Sequence, residues 1–281
     1  MKGIIASSSA LEIERDYELN MPQMALGGLS EAWLFRELGD LHWSMISAGL
    51  GASSSKMSDA NGDRLYATFT RLSLSATRPL SAFEENEHVT ARGRIERYGS
   101  GVFFGHVAFG HEKKRIDVRL MSSFTKRSSA ASNSSLLKGQ PFVPPDSPIP
   151  VLLDLPPFAN EYRRLRAAPR AAPLFEREYR ILPYHDINGV GLLYFAAYPI
   201  INDLCEMHYF SEDPEWCMRS STVARDVHYY GNCNLSDHLV YRLHEKHHHG
   251  DTVTLTSSLT RASDETVIAS IVTQKALLHR P

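Results

Sequence analysis

Glu14-Arg15-Asp16-Tyr17 returns later in the chain as Glu176-Arg177-Glu178-Tyr179, and each copy is followed within a few residues by a proline, Pro22 and Pro183. A glycine-led apolar segment comes next in both places. From Gly28 it reads GLSEAWLFRELGDLHW and from Gly191 GLLYFAAYPIINDLCE, with Leu second and with Asp40 and Asp203 at the same step. Such self-similarity means that two copies of one supersecondary unit fill the chain, and a fold that ignores the repeat is excluded.

Each glycine-led segment predicts a buried helix, and alternating β-type runs follow it. In the first half these are Leu65 to Leu74, Glu87 to Tyr98, Val102 to Phe109 and Arg115 to Thr125; in the second, Thr222 to Tyr230, His238 to His244, Asp251 to Arg261 and Thr266 to Leu277. The class is therefore α+β, each half reading strand, helix and four further strands. Between the halves, SSAASNSSLLKGQPFVPPDSPIP (Ser128 to Pro150) has the composition of a connection. Asn160 to Pro173 adds a short helix bearing Arg163, Arg164, Arg166 and Arg170, which Pro169 and Pro173 would end. The expected division is 1–127, a connecting segment 128–173, and 174–281.

With 281 residues, 43% of them hydrophobic and 22% charged, the chain is long enough to bury two cores. A net charge of -2 argues against a general nucleic-acid or membrane surface while leaving small anionic ligands open. Cys205, Cys217 and Cys233 are odd in number and lack CxxC spacing, which fits buried thiols in a reducing compartment. The N-terminus, from Met1 through Ser8-Ser9, lacks the apolar run of a signal peptide, and no stretch reaches about 18 apolar residues. The expectation is a soluble, cytoplasmic protein, monomer or homodimer.

The run Tyr184-His185-Asp186-Ile187-Asn188-Gly189-Val190-Gly191-Leu192-Leu193-Tyr194-Phe195 resembles the strand-to-helix signature of the hydroxybenzoyl-CoA thioesterase family, with Asp203 matching its helical acid. The resemblance implies a double hot-dog fold, in which a curved antiparallel sheet wraps one long helix in each repeat. It also implies that Gly191, and Gly27 with Gly28 in the first repeat, let a thioester approach backbone N–H groups at a helix start. The family's second acid, its nucleophile or base, falls here on Asn188, an amide that can donate a hydrogen bond and cannot act as a base; its first-repeat counterpart is near Ala25. Asp186 matches the motif's first, non-catalytic acid.

The longer pattern Gly27-Gly28-Leu29-Ser30-Glu31-x-Trp33-Leu34, with Glu37-Leu38-Gly39-Asp40-x-His42-Trp43, resembles the bifunctional acyltransferase/decarboxylase family of leinamycin biosynthesis. That resemblance implies decarboxylation of methylmalonyl-CoA and transfer of propionyl to an acyl carrier protein in polyketide biosynthesis, with no cofactor beyond the coenzyme A thioester. It implies Tyr66 and Asn188 as catalytic residues, and Gly27, Gly28, Leu29, Ser30, Asp186 and Gly191 around the substrate. Hydrolysis, dehydration and non-catalytic binding of an acyl-CoA or carrier protein stay open, as do direct transfer against an acyl-tyrosine and the choice between two pseudo-symmetric clefts. Asp40, His42 and Asp203 are expected to close hydrogen bonds between repeats, and His247-His248-His249 to form a polar loop with no metal.

Overall fold

The computed structural model describes residues 3–7, 10–128, 132–213 and 215–278. Met1, Ser8-Ser9 and residues 129–131 of the serine-rich connection lie outside the described residues. Its elements are β1 (Gly3–Ser7), β2 (Ala10–Glu18), β3 (Met24–Ala25), β4 (Gly28–Leu29), α1 (Glu31–Leu50), β5 (Tyr66–Ala76), β6 (His88–Tyr98), β7 (Val102–His111), β8 (Lys114–Lys126), β9 (Leu137–Gly139) and α2 (Pro157–Ala167). They continue as β10 (Phe175–Arg180), α3 (Pro183–Asp186), α4 (Ala197–Tyr209), α5 (Trp216–Arg219), β11 (Ser220–Tyr229), β12 (His238–His249), β13 (Thr252–Arg261) and β14 (Thr266–Leu277).

The sheet order is β1-β2-β6-β7-β8-β5-β11-β14-β13-β12-β10: the run β2-β6-β7-β8-β5 of the first repeat is mirrored by β10-β12-β13-β14-β11 of the second, the two meet at β5 and β11, and β1 adds an outer strand to the first. One long helix packs on each half, giving the expected hot-dog arrangement twice. The seam is short, running antiparallel from Arg71 opposite His228 to Ser75 opposite Ala224, with Ser73 facing Asp226 at its middle. A bulge interrupts β5 between Phe69 and Arg71, and another interrupts β11 between Thr222 and Ala224. A bulge bends its strand away from a partner, so the seam ends at an equivalent place on both sides.

Helix α1 buries Leu34, Phe35, Leu38, Leu41, His42, Met45 and Ile46 at three- and four-residue spacing, which is one continuous stripe against the sheet. Ser30 caps it by accepting from Trp33 N–H at 3.2 Å, and Gly51 ends it in the left-handed region. Gly39 and Gly93 are close-approach positions: a Cβ would lie 2.3 Å from Phe195 Cζ at the first and 2.5 Å from Leu41 Cδ2 at the second. Gly39 thereby lets α1 accept an aromatic ring from the other repeat.

Three local expectations are corrected. Helix α4 starts at Ala197 and not at Gly191, because the chain from Ile187 to Leu193 first makes a hairpin closed by an Ile187–Leu193 bridge. His247, His248 and His249 are the exposed end of β12, paired with β13, and form no loop. The arginine-bearing helix starts earlier than Asn160, at Pro157, and leaves Arg170 outside; it ends at Ala167, before Pro169 as expected, since the residue preceding proline disfavours helical backbone. Cys205 and Cys233 are free and buried; burial pushes the Cys205 thiol up to about 11 and the Cys233 thiol up to about 12, the wrong direction for nucleophiles. No described helix is long and apolar enough to cross a membrane.

Candidate active-site cleft

Beyond the bulge, β5 from Tyr66 to Phe69 stays paired with β8, while Tyr229 stays on β14 and Tyr230 and Gly231 donate to Ile268 O. The two central strands therefore part, and a cleft of about 850 Å3 opens between them. Its walls are Thr68, Phe69, Ser123 and Thr125 from β5 and β8, Gly39, Asp40 and Trp43 from α1, and Asn188 with Leu192 to Phe195 from the hairpin before α4. Asn133, Lys138 and the α2 residues Tyr162, Arg163 and Arg166 complete it. Phe195 lies 4.3 Å from the Phe69 ring, so both repeats build the apolar floor.

Asn188 sets the shape of the hairpin. Its Oδ1 accepts from Val190 N–H at 3.1 Å and Leu192 N–H at 3.0 Å, and its own N–H donates to Leu192 O at 2.9 Å. Among the described residues its Nδ2 has no protein acceptor, so the amide keeps a donor for a ligand. An aspartate in the same place would hold the same two N–H groups, so the geometry of the hairpin tolerates either residue. Gly191 turns with φ of 79° and is held from outside: Asn133, which is buried, donates from Nδ2 to Gly191 O at 2.6 Å, and Arg127 donates to Val190 O. Asn232 locks the end of the hairpin, accepting from Leu193 N–H at 2.9 Å and donating to Leu193 O at 3.2 Å.

Tyr66 opens β5 beside this hairpin. Arg64 stands 5.1 Å from its ring centre and Arg127, the residue that bonds Val190, stands 6.0 Å from it. Tyr66, Asn188 and Gly191 are thus gathered at one end of the seam, linked through Arg127, with Tyr66 next to the lining residues Ala67 and Thr125. Asp186 is buried behind the hairpin, accepting from Tyr179 O–H at 3.0 Å and Leu182 N–H at 2.7 Å; it supports the loop and does not line the cleft.

Gly27, Gly28, Leu29 and Ser30 lie away from this cleft, at the opposite end of the seam. There Ala25 pairs with Gly28 in a second small hairpin, and Ser81 N–H, from the turn Leu80–Ala82, donates to Ser221 Oγ at 2.9 Å. Gly28, at φ of 126°, is pressed so closely on that turn that a Cβ would lie 2.4 Å from Leu80 O. Ser30 is committed to capping α1. Behind them Arg225, fully buried, joins Glu31 of the first repeat to Asp203 of the second at 2.9 Å, and Lys275 reaches Glu206 at 2.5 Å. Burial pushes the Glu31 carboxyl up, whereas Arg225 and Lys275 overcome burial at Asp203 and hold its pKa down.

Of the three side chains expected to bridge the repeats, Asp203 does so through Arg225. His42 instead meets Ser122 of its own repeat at 2.8 Å, with burial pushing its pKa down to about 3. Asp40 is a correction: it is exposed, lines the cleft and accepts from Arg15 at 2.8 Å. Asn133, Asn232 and Arg127 went unnoticed in the sequence, since a lone asparagine in a serine-rich connection carries no spacing signal. No group of acidic, His and Cys side chains with metal-binding geometry occurs among the described residues.

The fold is that of several solved thioesterases. A putative oleoyl thioesterase from Lactobacillus plantarum superposes with a TM-score of 0.70 at 12% identity, covering 97% of this chain and 97% of that one. The 12:0-ACP thioesterase from Umbellularia californica gives 0.63 at 8% identity, covering 95% and 97%. An acyl-ACP thioesterase from Bacteroides thetaiotaomicron gives 0.61 at 12% identity, covering 94% and 97%. No family model and no curated protein matches the sequence. Both repeats thus share the hot-dog fold of these structures.

Proposed function

We propose that this chain is an enzyme of acyl thioesters carried on coenzyme A or acyl carrier protein, working in the open cleft. One observation carries the reading: one cleft combines an aromatic floor at Trp43, Phe69 and Phe195 with the donor of Asn188, and among the described residues the only carboxylate in its lining, Asp40, is already engaged by Arg15. An apolar pocket with a few convergent polar groups suits an acyl chain ending in a thioester. The solved neighbours described as oleoyl and acyl-ACP thioesterases share the fold and support the class.

Two reactions are consistent with that class. Hydrolysis is favoured by those neighbours and requires a base to activate water; Asp40 is the carboxylate placed to serve, once freed from Arg15. Decarboxylative transfer is favoured by the lining itself, which is rich in donors and poor in bases. In a malonyl-type thioester such as methylmalonyl-CoA, the bond from the α-carbon to the carboxylate breaks, CO2 departs, and the bonding electron pair stays on the thioester as an enolate. Donors aimed at the enolate oxygen stabilise it, each contributing about 3 kcal/mol, and water returns a proton to the α-carbon.

The carrier-protein thiol then attacks the propionyl carbonyl and the coenzyme A thiol leaves, directly or by way of an ester on Tyr66. A nucleophilic tyrosine needs neighbouring positive charge, which Arg64 and Arg127 supply.

The test is mass spectrometry of the protein incubated with methylmalonyl-CoA and a phosphopantetheinylated carrier protein, wild type beside Tyr66→Phe and Asn188→Asp. Propionyl on the carrier establishes transfer, and its loss in Tyr66→Phe assigns that residue a role. Free acid establishes hydrolysis, and Asn188→Asp is expected to raise free acid by restoring a carboxylate at the hairpin. No turnover of this or of longer acyl-CoAs would overturn the enzymatic reading and leave a binding module.

A further inference from the structure

Cations and acids are unequally distributed in the open cleft. Arg163 and Arg166 from α2 and Lys138 from β9 line it and form no ion pair among the described residues. Among the described residues the one acid in the same lining, Asp40, is satisfied by Arg15. Other cations nearby are committed: buried Arg71 pairs with Asp226 and Glu161, at 2.5 and 2.8 Å, and Arg170 donates to Ser270 Oγ at 3.1 Å. Clustered arginines on a helix usually mark a solvated face. These two instead face a cavity shared with the thioester-sized floor.

They are also carried on a fixed element. Phe158 anchors α2 between Arg71 and Arg119, 4.1 and 4.7 Å from its ring centre, and Tyr162 O–H donates to Tyr229 O at 2.9 Å. Tyr162 and Tyr230, both lining the cleft, present rings 5.6 Å apart beside the arginines, with Arg166 6.0 Å from the Tyr230 ring centre. A rigid set of unpaired cations around an aromatic surface fits an organic phosphate.

We propose that Arg163, Arg166 and Lys138 bind the phosphorylated end of a pantetheine-bearing substrate, with Tyr162 and Tyr230 as its platform, while the thioester reaches the Asn188 hairpin. The inference rests on the acyl-thioester reading of the same cleft. The phosphate can belong to coenzyme A's nucleotide or to the phosphopantetheine arm that coenzyme A and carrier proteins share.

Calorimetric titration of the full chain with coenzyme A, 4′-phosphopantetheine and pantetheine tests it, wild type beside Arg163→Ala/Arg166→Ala and Lys138→Ala. Coenzyme A is expected to bind the double variant about tenfold or more weakly, as loss of a charge-assisted hydrogen bond implies, and Lys138→Ala a lesser factor, with pantetheine unchanged. An equal loss for phosphopantetheine assigns the contact to the arm's phosphate; a loss confined to coenzyme A assigns it to the nucleotide. Unchanged coenzyme A affinity, or a parallel loss for pantetheine, overturns the proposal. Arginine-dependent binding without turnover would sink only the enzymatic reading, and turnover indifferent to the arginines only this one.

Discussion

The two ends of the β5–β11 seam are built from equivalent parts and have opposite characters. At one end Asn188 and Trp43 border open space, with Gly191 turning the hairpin and the His42–Ser122 pair buried behind it. At the other, Ala25 stands in for Asn188, Gly28 is pressed on Leu80 and Ser81, Glu206 occupies the helix position of Trp43, and Lys275 the strand position of Ser122. A tandem repeat frees one copy of the site from the demands of symmetry. Here one end became a filled ionic joint between the repeats, and the other kept its cavity. The two strand bulges are the same device, so the difference lies in side chains and in the length of the hairpins.

The most severe way to break this contrast is Arg225→Ala. It strips the partner from Glu31 and Asp203 inside the joint, and removing one member of a buried ionic group costs about 3–5 kcal/mol. Urea unfolding measures it, and a loss under 1 kcal/mol would mean that the closed end is not held by charge. Next comes the glycine pair. Gly28→Ala meets backbone at 2.4 Å and should lower stability by more than about 2 kcal/mol, whereas Gly191→Ala meets only the movable end of Arg127 at 3.1 Å and should cost about 1–2 kcal/mol for its left-handed backbone. Thermal melts of the two variants showing equal losses would erase the distinction between a packed and an open end.

The last effect is in pH dependence. His42 has its pKa pushed down to about 3 by burial, below its ordinary 6.5, so the unfolded chain binds its proton first as pH falls. Its contribution is complete above about pH 6.5 and is lost as pH falls toward 3, by up to about 1.4 kcal/mol per pH unit. His42→Asn should flatten that part of the stability curve between pH 6 and 4. An unchanged slope would place the sensitivity elsewhere, the charged joint being the first suspect.

Much of the fold was legible because the repeat and the β alternation are local signals. The eight strands named from sequence are present with bounds shifted by a few residues, β12 by more, since its polar histidines hide a strand whose end is exposed. The start of α4 was misplaced because the repeat aligned Gly191 with Gly28 while the second hairpin is longer than the first. Tyr66 and Asn188 were singled out through motif resemblance, and the structure brings both to one end of the seam. What joins them, Arg127 and Asn133 reaching across to the hairpin, depends on how a connecting segment folds back, and nothing in a linear pattern records that. The asymmetry between the two ends was likewise invisible, because Arg225, Lys275 and Glu206 read singly as ordinary polar residues of a strand or helix.

Hydrogen–deuterium exchange with and without a non-hydrolysable acyl-CoA analogue tests the central claim most directly. Protection confined to the hairpin 188–193, the turn 98–101 and the segment 132–136 is the predicted result, since all three border the open cleft. Protection at 25–30 and 80–82, with the open cleft unaffected, would contradict the assignment of the working site.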